Sequence, residues 1–317
     1  MEARLAVFPP TASSPTEGPA VRRIALLLVL ALVAGPLAAS VAAASRPPAL
    51  PSVHGGFGHA PTISFPRAAP PASLEVRVLR DGTGALVRRG DLVVANYVGQ
   101  IWRGKVFDSS FGRLAAAFPI GVGQVIPGWD RALVGRRVGS RLLLVLPPAD
   151  GYGKAGNPQA GITGSDTIVF VVDLLATYGR GAGADPRAVF LARSAHGVTV
   201  TGRPGKVPTV SVARDAPLPR AVSVAVLDRG HGRKIVPGLV VFQFVAVNLS
   251  SRKVATSTWK TGIPEDAPVG DPAQPSALDV LAGVRVGSRV LLEIPKSSSN
   301  PPYALAIDIV AEPATLG

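Results

Sequence analysis

The side chains that could carry chemistry between residues 97 and 170 are mostly aromatic or branched apolar, and a single carboxylate accompanies them. No nucleophile, catalytic base or metal-ligating group stands beside them. Such a set is typical either of a hydrophobic core or of an apolar cleft with a few polar groups, the usual form of a small-ligand or peptide site. The candidate residues are Tyr97, Phe107, Asp108, Val125, Ile126, Trp129, Tyr152, Ile162 and Phe170.

The composition excludes several other classes of site. Cysteine is absent, which rules out disulfides, thiol catalysis and thiolate metal sites. The 4 histidines lack metal-ligand spacing, so we expect no metal and no cofactor. The segment GVGQVIPG (121–128) lacks the Lys-Ser/Thr pair of a phosphate-binding loop. The net charge of +13 contains no block of five like charges, so we interpret it as scattered surface charge and expect no nucleic-acid partner.

Residues 1–44 are predicted to be a targeting segment. Arg22 and Arg23 precede an uncharged run, 24–44, that begins rich in Leu and ends in small residues. This order is typical of a secretory signal peptide, and Pro36 and the Ala-rich end favour cleavage. The alternative is an uncleaved membrane anchor, since the run is just long enough to span a bilayer. Either reading predicts an extracytoplasmic protein, secreted or anchored at the cell surface, that meets the membrane only through this segment.

The chain repeats itself at a spacing of 148 residues. VLRDGTG (78–84) matches VLDRGHG (226–232), and VGSRLLLVLP (138–147) matches VGSRVLLEIP (286–295). A constant offset over so long a span indicates a duplication, and the period is too long for a solenoid. A chain of 317 residues has room for about two such domains.

Segments rich in Pro, Gly and Ala suggest linkers at 45–60 and 179–207, which leaves units at 61–178 and 208–313. Short β-branched and apolar runs bounded by Gly and Pro predict strands in both units. Only PGWDRALVG (127–135) carries signals for the start and stop of a helix. The predicted class is therefore α+β, with a mostly antiparallel sheet and one short helix per unit.

Four motifs in the first unit carry a family resemblance. Tyr-x-Gly at 97–99, Phe-Asp-Ser-Ser at 107–110, Val-Ile-Pro-Gly-Trp at 125–129 and Tyr-Gly at 152–153 occur in order and with family-typical spacing. Residues 74–178 thereby resemble the FKBP-type peptidyl-prolyl cis-trans isomerases, here as a secreted bacterial member. The resemblance implies two FKBP-like units, each a twisted antiparallel β-sheet wrapped around a short α-helix. It also implies binding of proline-containing protein or peptide substrates and of macrolide inhibitors.

The resemblance assigns a role to every candidate residue. It implies catalytic positions at Asp108, Tyr152, Trp129 and Phe107, and substrate-binding positions at Tyr97, Val125, Ile126, Ile162 and Phe170. For Asp108, two roles stay open: polarising the twisted amide, or a structural hydrogen bond that shapes the pocket wall. The sequence departs from some family members at Ala116, in place of a wall aromatic, and at Asn157, in place of a loop His. Both departures are expected to alter affinity more than activity.

The second unit keeps the fold signals but loses the pocket. The loop that holds Tyr152 is nearly deleted after Pro295. At the constant offset the replacements are Val245 for Tyr97, Ala255 for Phe107, Thr256 for Asp108 and Ala277 for Trp129. The prediction is a degenerate FKBP-like domain without isomerase activity. The alternative function for the chain is a non-catalytic peptide-binding or chaperone module that uses the cleft and this second domain.

Overall fold

The structure is a computed structural model, and it describes residues 48–313. The predicted targeting segment, 1–44, lies outside these described residues. Within them, no helix is long and apolar enough to cross a membrane.

The first unit contains eight strands and one α-helix. The strands pair antiparallel throughout, as the alternating and apolar runs predict. In chain order the elements are β1 (Ser52–His54), β2 (Thr62–Ser64), β3 (Glu75–Arg80), β4 (Leu92–Ile101), β5 (Val106–Ser109), β6 (Ala116–Pro119), α1 (Pro127–Leu133), β7 (Arg141–Leu146) and β8 (Ile168–Tyr178).

The main sheet of the first unit has the order β3-β7-β8-β4-β5, and β6 also pairs with β4. Helix α1 begins with Pro127, whose fixed φ suits the first helical turn. Gly128 lets the helix approach the sheet closely, because a Cβ there would lie 2.3 Å from Cδ2 of Leu146. The helix therefore buries Trp129 and Leu133 against the sheet.

The second unit repeats this sheet. Its order is β15-β14-β18-β17-β13-β9, and β16 pairs with β14. The elements that follow β8 are β9 (Val189–Phe190), β10 (Ser194–Ala195), β11 (Val198–Thr201), β12 (Thr209–Val212), β13 (Ser223–Arg229), β14 (Gly238–Asn248), β15 (Lys253–Ser257), β16 (Glu265–Val269), β17 (Arg289–Ile294) and β18 (Tyr303–Ala311).

The predicted α-helix of the second unit is wrong in detail, because a 3₁₀ helix, Ala277–Leu281, takes its place. In the first unit Asp130 accepts hydrogen bonds from two loop amides and Gly135 donates to Val87. In the second unit Asp279 accepts from the loop amide of Gly270, and Gly283 donates to Ile235. One residue fewer separates Asp279 from Gly283 than separates Asp130 from Gly135. The shorter segment has the tighter i→i+3 bonding of a 3₁₀ helix.

The two segments predicted to be linkers contain strands. The range 45–60, described from residue 48, contributes β1, which pairs with β2. The range 179–207 contributes β9, β10 and β11, and β11 pairs with β12. The Gly and Pro residues at 55–58 and 202–205 belong to hairpin turns, whereas 179–188 contains no strand or helix and joins the two units. Both ranges are therefore partly regular structure rather than linker throughout.

A buried Arg–Asp pair holds each of these hairpins on its sheet. Arg141 pairs with Asp173 at 2.6 Å between Nε and Oδ1, and it also donates to the carbonyls of Gly55 and His59 at 2.7 Å each. The N–H of Gly58 donates to Asp173 at 2.7 Å. The two side chains are 3% and 0% exposed.

The second unit has the same arrangement. Arg289 pairs with Asp308 at 2.5 Å and donates to the carbonyls of Gly202 and Lys206 at 2.9 and 2.6 Å. The N–H of Gly205 donates to Asp308 at 2.9 Å. The duplicated unit therefore includes a hairpin upstream of the boundaries that the sequence suggested.

The two units pack together through equivalent faces of their sheets. Leu92 and Val94 of β4 form one apolar cluster with Leu239 and Val241 of β14. Side chains on a strand alternate between its faces, so Tyr97 and the other core-facing residues of β4 point away from this contact. The second unit thus lies behind the sheet that carries the candidate site.

Candidate active site

The structure brings all the sequence-predicted site residues together. Most are buried in one core cluster, with Phe107 and Tyr152 partly buried against it. Asp108 joins the cluster through a hydrogen bond that the Tyr97 hydroxyl donates to its Oδ2. The fully assembled cluster contains Tyr97, Phe107, Asp108, Val125, Ile126, Trp129, Tyr152, Ile162 and Phe170.

The aromatic rings meet edge to face. Trp129 lies 5.2 Å from Phe170 and 5.5 Å from Tyr97, with interplanar angles of 82° and 85°. Phe107 meets Phe170 at 5.5 Å and 89°. Phe118, which sequence reasoning did not assign to the site, lies 5.0 Å from Trp129. Edge-to-face pairs are favourable and directional, so these rings fix one another.

A glycine permits this packing. Gly99 pairs with Phe170 across β4 and β8 and with Asp108 across β4 and β5. A Cβ at this position would lie 2.6 Å from the Phe107 ring and 2.7 Å from the Phe170 ring. The place of Gly99 in the second unit is held by Ala246, where Ala255 and Leu305 replace the two rings.

We expect Gly99→Ala to displace Phe107 and to destabilise the first unit by about 1–3 kcal/mol, because overpacking forces rings out of their rotamers. The check is the free energy of unfolding in urea together with the isomerisation rate. Ala246→Gly, the reverse change in the second unit, is the matched control and should leave the isomerisation rate unchanged. Full activity in Gly99→Ala would contradict this account of the wall.

Asp108 is satisfied by three donors. Besides Tyr97, the guanidinium of Arg113 donates to Oδ1 at 2.7 Å and the N–H of Ser109 donates to Oδ1 at 2.8 Å. The Asp108 side chain is 10% exposed, so these bonds offset the cost of burying a charge. Burial, and next the hydrogen bond to Asp108, raise the pKa of Tyr97 well above its usual range. Sequence reasoning missed Arg113, whose only signal is its place five residues after Asp108.

Tyr152 presents a hydroxyl that has no hydrogen-bond partner among the described atoms. Burial raises the pKa of Tyr152 above its usual range; the nearby Asn157 side chain lowers it without reaching hydrogen-bond geometry, and Asp108 raises it further. The hydroxyl therefore stays protonated at physiological pH. It is available to donate a hydrogen bond to a bound molecule.

The loop after Tyr152 closes over the cluster. Asn157 and Ile162 exchange backbone hydrogen bonds of 2.8 and 2.9 Å, which turn the loop back on itself. Ile162 in this loop is 3% exposed, and Trp129 is fully buried. A molecule can therefore reach Trp129 only after the covering residues move.

A cavity of about 570 Å³ adjoins this closed cluster. It shares Val125 and Tyr152 with the cluster and extends past Pro127, Ala149 and Ala155. Its lining is mostly apolar. An extended chain approaching Trp129 has room in this cavity beside the site.

Known proteins resemble the first unit in sequence. A sequence model of the FKBP-type peptidyl-prolyl cis-trans isomerases matches residues 84–175. An FK506-binding protein of Streptomyces anulatus is 37% identical over 118 residues, which is 37% of this chain and 95% of that protein. This chain belongs to the FKBP family of peptidyl-prolyl cis-trans isomerases.

Two further relatives agree with the FKBP assignment. FK506-binding protein 1 of Debaryomyces hansenii is 42% identical over 107 residues, covering 33% of this chain and 95% of the relative. Peptidyl-prolyl cis-trans isomerase FKBP15-1 of Arabidopsis thaliana is 44% identical over 92 residues, covering 29% of this chain and 60% of the relative. The isomerase family is thereby confirmed, and the helix and antiparallel sheets of the described residues confirm the α+β class.

In the second unit, two of the residues at the places of the site residues differ from those that the constant offset of 148 predicts. Asn96 and Gln243 both stand opposite the buried aspartate of their unit, so Phe244, not Val245, takes the place of Tyr97. The Asp130–Asp279 equivalence likewise places Leu278, not Ala277, at the position of Trp129. Thr256 pairs with Ala246 of β14 as Asp108 pairs with Gly99 of β4. This pairing agrees with the predicted replacements of Asp108 by Thr256 and of Phe107 by Ala255.

Proposed function

We propose that the first FKBP unit accelerates rotation about X-Pro bonds of extracytoplasmic proteins without forming a covalent bond. One observation carries the mechanism: a cluster of edge-to-face aromatic rings contains one free hydroxyl donor, Tyr152, and no nucleophile among the described residues. Such a site can bind and desolvate an amide but offers no group to attack it.

The physical basis is differential binding. The barrier to rotation of a peptide bond is about 18–20 kcal/mol, because twisting removes the amide resonance. The planar amide is a strong dipole, and the twisted transition state is less dipolar at its carbonyl. Transfer from water to an apolar pocket therefore costs the transition state less than the ground state, and only such a difference raises the rate.

In this mechanism each part of the cluster has its own role. The proline ring packs on Trp129 once the loop that carries Ile162 opens. Tyr97, Phe107 and Phe170 exclude water from the amide. The Ile126 backbone N–H and the Tyr152 hydroxyl hold the carbonyls of the flanking chain, as the family resemblance implies.

We expect Tyr152→Phe to lower kcat/KM by up to about tenfold, the worth of one hydrogen bond of roughly 1 kcal/mol. Because the hydroxyl makes no hydrogen bond within the described residues, the free energy of unfolding should stay within about 0.5 kcal/mol of wild type. The measurement pairs a proline-isomerisation assay, with and without a macrolide, with urea unfolding. Unchanged turnover would refute the assigned role of Tyr152.

The extracytoplasmic location is supported by the uncharged run at 24–44. We expect the exported protein to begin near residue 45, because a signal peptidase cuts after small residues. N-terminal sequencing of the mature protein checks this. A mature chain that retains 24–44 would instead show the membrane anchor.

A further inference from the structure

Strand β9 and the residue that follows it expose three consecutive large apolar side chains. Val189, Phe190 and Leu191 are 43%, 57% and 47% exposed. Successive residues of a strand point to opposite faces, so neither face of this segment is covered. Single exposed apolar residues are ordinary, but a contiguous group of this kind indicates an interaction site.

Among the described residues, only one edge of the β9 backbone is hydrogen-bonded to a neighbouring strand. Phe190 and Val189 pair with Asp228 and Arg229 of β13, and Leu191 donates to Leu227 at 2.9 Å. β9 ends the strand order of its sheet, so within residues 48–313 no strand pairs with its other edge. An uncovered edge is a template for another extended chain, and charged residues, prolines or a very short strand usually protect it. β9 contains no charged residue or proline, but it is only two residues long, so its exposed apolar side chains must supply most of the binding.

The first unit lacks this feature. Its edge strand β3 pairs with β7 as β13 pairs with β17, and β3 is the last strand of the described sheet. β9 is therefore an addition to the second unit, placed where the first unit ends. The unit that has lost the aromatic pocket has gained an apolar edge.

A groove of about 330 Å³ opens beside β9. Phe190, Ala192 and Val200 supply its apolar lining, while Arg193 and Arg203 stand at its margin near the largely buried Asp228. The Arg193 guanidinium lies 5.4 Å from the centre of the Phe190 ring. Two exposed cations against one buried carboxylate give the margin a net positive charge.

We propose that this edge binds an extended polypeptide that combines apolar and acidic residues, adding it to β9 as a further strand. The free β9 edge would supply main-chain hydrogen bonds, and the 330 Å³ groove would take one apolar side chain of the partner. Carboxylates of the partner would pair with Arg193 and Arg203. The net charge of +13 favours an acidic partner over a basic one.

This activity is separate from prolyl isomerisation, since it uses the second unit and needs no proline. The degenerate unit would retain an unfolded chain near the catalytic unit. Tethering raises the effective concentration of that chain's prolines at the first unit. A peptide too short to reach both sites would be isomerised no faster through this tethering.

The test measures binding of a fluorescent, proline-free peptide of about 12 residues, alternating Val or Phe with Glu, to the full chain. Phe190→Asp is expected to weaken binding at least about tenfold, as for an apolar residue at the centre of an interface. Arg203→Glu should weaken it and reduce its salt dependence. Val254→Asp is the matched control, because Val254 is 55% exposed on β15 at the opposite edge of the same sheet; it should bind like wild type.

Two altered peptides test the mode of binding. A peptide N-methylated at alternate residues should bind at least about tenfold more weakly, because it cannot form a ladder along one edge. A peptide with Lys in place of Glu should not bind. Equal binding by Phe190→Asp, or by either altered peptide, would overturn the proposal. So would a failure of the peptide to bind accompanied by self-association that Phe190→Asp abolishes, since a second copy would then be the partner.

Isomerisation of a short proline peptide keeps the two activities apart. Phe190→Asp should turn over that peptide at the wild-type rate, and an unchanged urea-unfolding transition of Trp259 reports that the second unit is folded. Loss of peptide binding with intact isomerisation and a folded second unit supports the proposal. Loss of both would show a general loss of structure and would overturn the assignment of the effect to this edge.

Discussion

Replacing Arg141 with Met is expected to destabilise the first unit by about 3–5 kcal/mol, among the largest effects that one substitution can have in this chain. The guanidinium makes two bonds to Asp173 and one each to the carbonyls of Gly55 and His59. Met fills similar volume but offers no donor. The Asp173 carboxylate, fully buried, would then lack its cation, and both carbonyls would lose their partner.

The measurement is urea unfolding followed by tryptophan fluorescence. Trp102 and Trp129 report on the first unit and Trp259 on the second. Arg289→Met should have the same effect on the second unit, because Arg289 holds its hairpin in the same way. Arg137→Met is the matched control: its exposed side chain makes one bond to a carbonyl, so its loss should cost less than about 1 kcal/mol.

A double change separates the buried charge from the lost packing. Arg141→Met with Asp173→Leu removes both charges and should recover part of the loss, since replacing a buried ion pair by apolar residues is often nearly neutral. A loss below about 1 kcal/mol in Arg141→Met alone would mean that the hairpin is not held by this pair.

These two arginines also show where sequence reasoning ends. Arg141 and Arg289 occupy the same place in the repeated Val-Gly-Ser-Arg turn, so their equivalence could be read from the sequence. Their hairpin partners lie more than 80 residues upstream, in segments whose Gly and Pro content suggested linkers. Composition reports turns, but it does not report what the turns are packed against.

The site was largely predictable, because seven of its nine residues sit in four short motifs whose spacing is distinctive; Ile162 and Phe170 lie outside them. What the sequence did not predict is how they are held. Arg113 and Phe118 lie outside the four motifs, and their roles depend on the fold that brings them to Asp108 and Trp129. The complete burial of Trp129 in the core cluster is likewise a property of packing, which local pattern does not encode.

The constant offset between units misplaced the counterpart of Tyr97 for a simple reason. Nine positions separate Val87 from Asn96, but eight separate Ile235 from Gln243. The missing residue shifts β14 by one, so Phe244 faces the core in place of Tyr97. In a strand such a shift exchanges the two faces, and only the observed pairing reveals it.

The second large effect is expected from Asp108→Val, which should lower kcat/KM by about 10- to 100-fold while the chain stays folded. Asp108 holds the Tyr97 hydroxyl, and Tyr97 packs against both Trp129 and Phe170. Without its acceptor the buried hydroxyl is left unpaired, at a cost of about 1–3 kcal/mol. The ring would then be free to move, and misplacement of a positioning group costs rate steeply.

Two companion variants decide how Asp108 acts. If Asp108 works by positioning Tyr97, Tyr97→Phe should reproduce most of the loss; if Asp108 itself polarises the amide, Tyr97→Phe should stay near wild type. Arg113→Met is the control for the exposed half of the network. Because its guanidinium is 46% exposed, it should change kcat/KM less than about fivefold.

A double variant that includes Asp108→Val tests whether the second unit has isomerase activity. In the full chain, Asp108→Val combined with Tyr152→Phe disables the first unit without removing the interface that Leu92 and Leu239 form. We expect its isomerisation rate to fall toward the uncatalysed rate, because the second unit offers Ala255, Thr256 and Leu278 where the first offers its pocket. Appreciable macrolide-insensitive turnover by this double variant would show that the second unit is active. Unchanged turnover in Asp108→Val alone would show that the Asp108 carboxylate serves neither positioning nor chemistry.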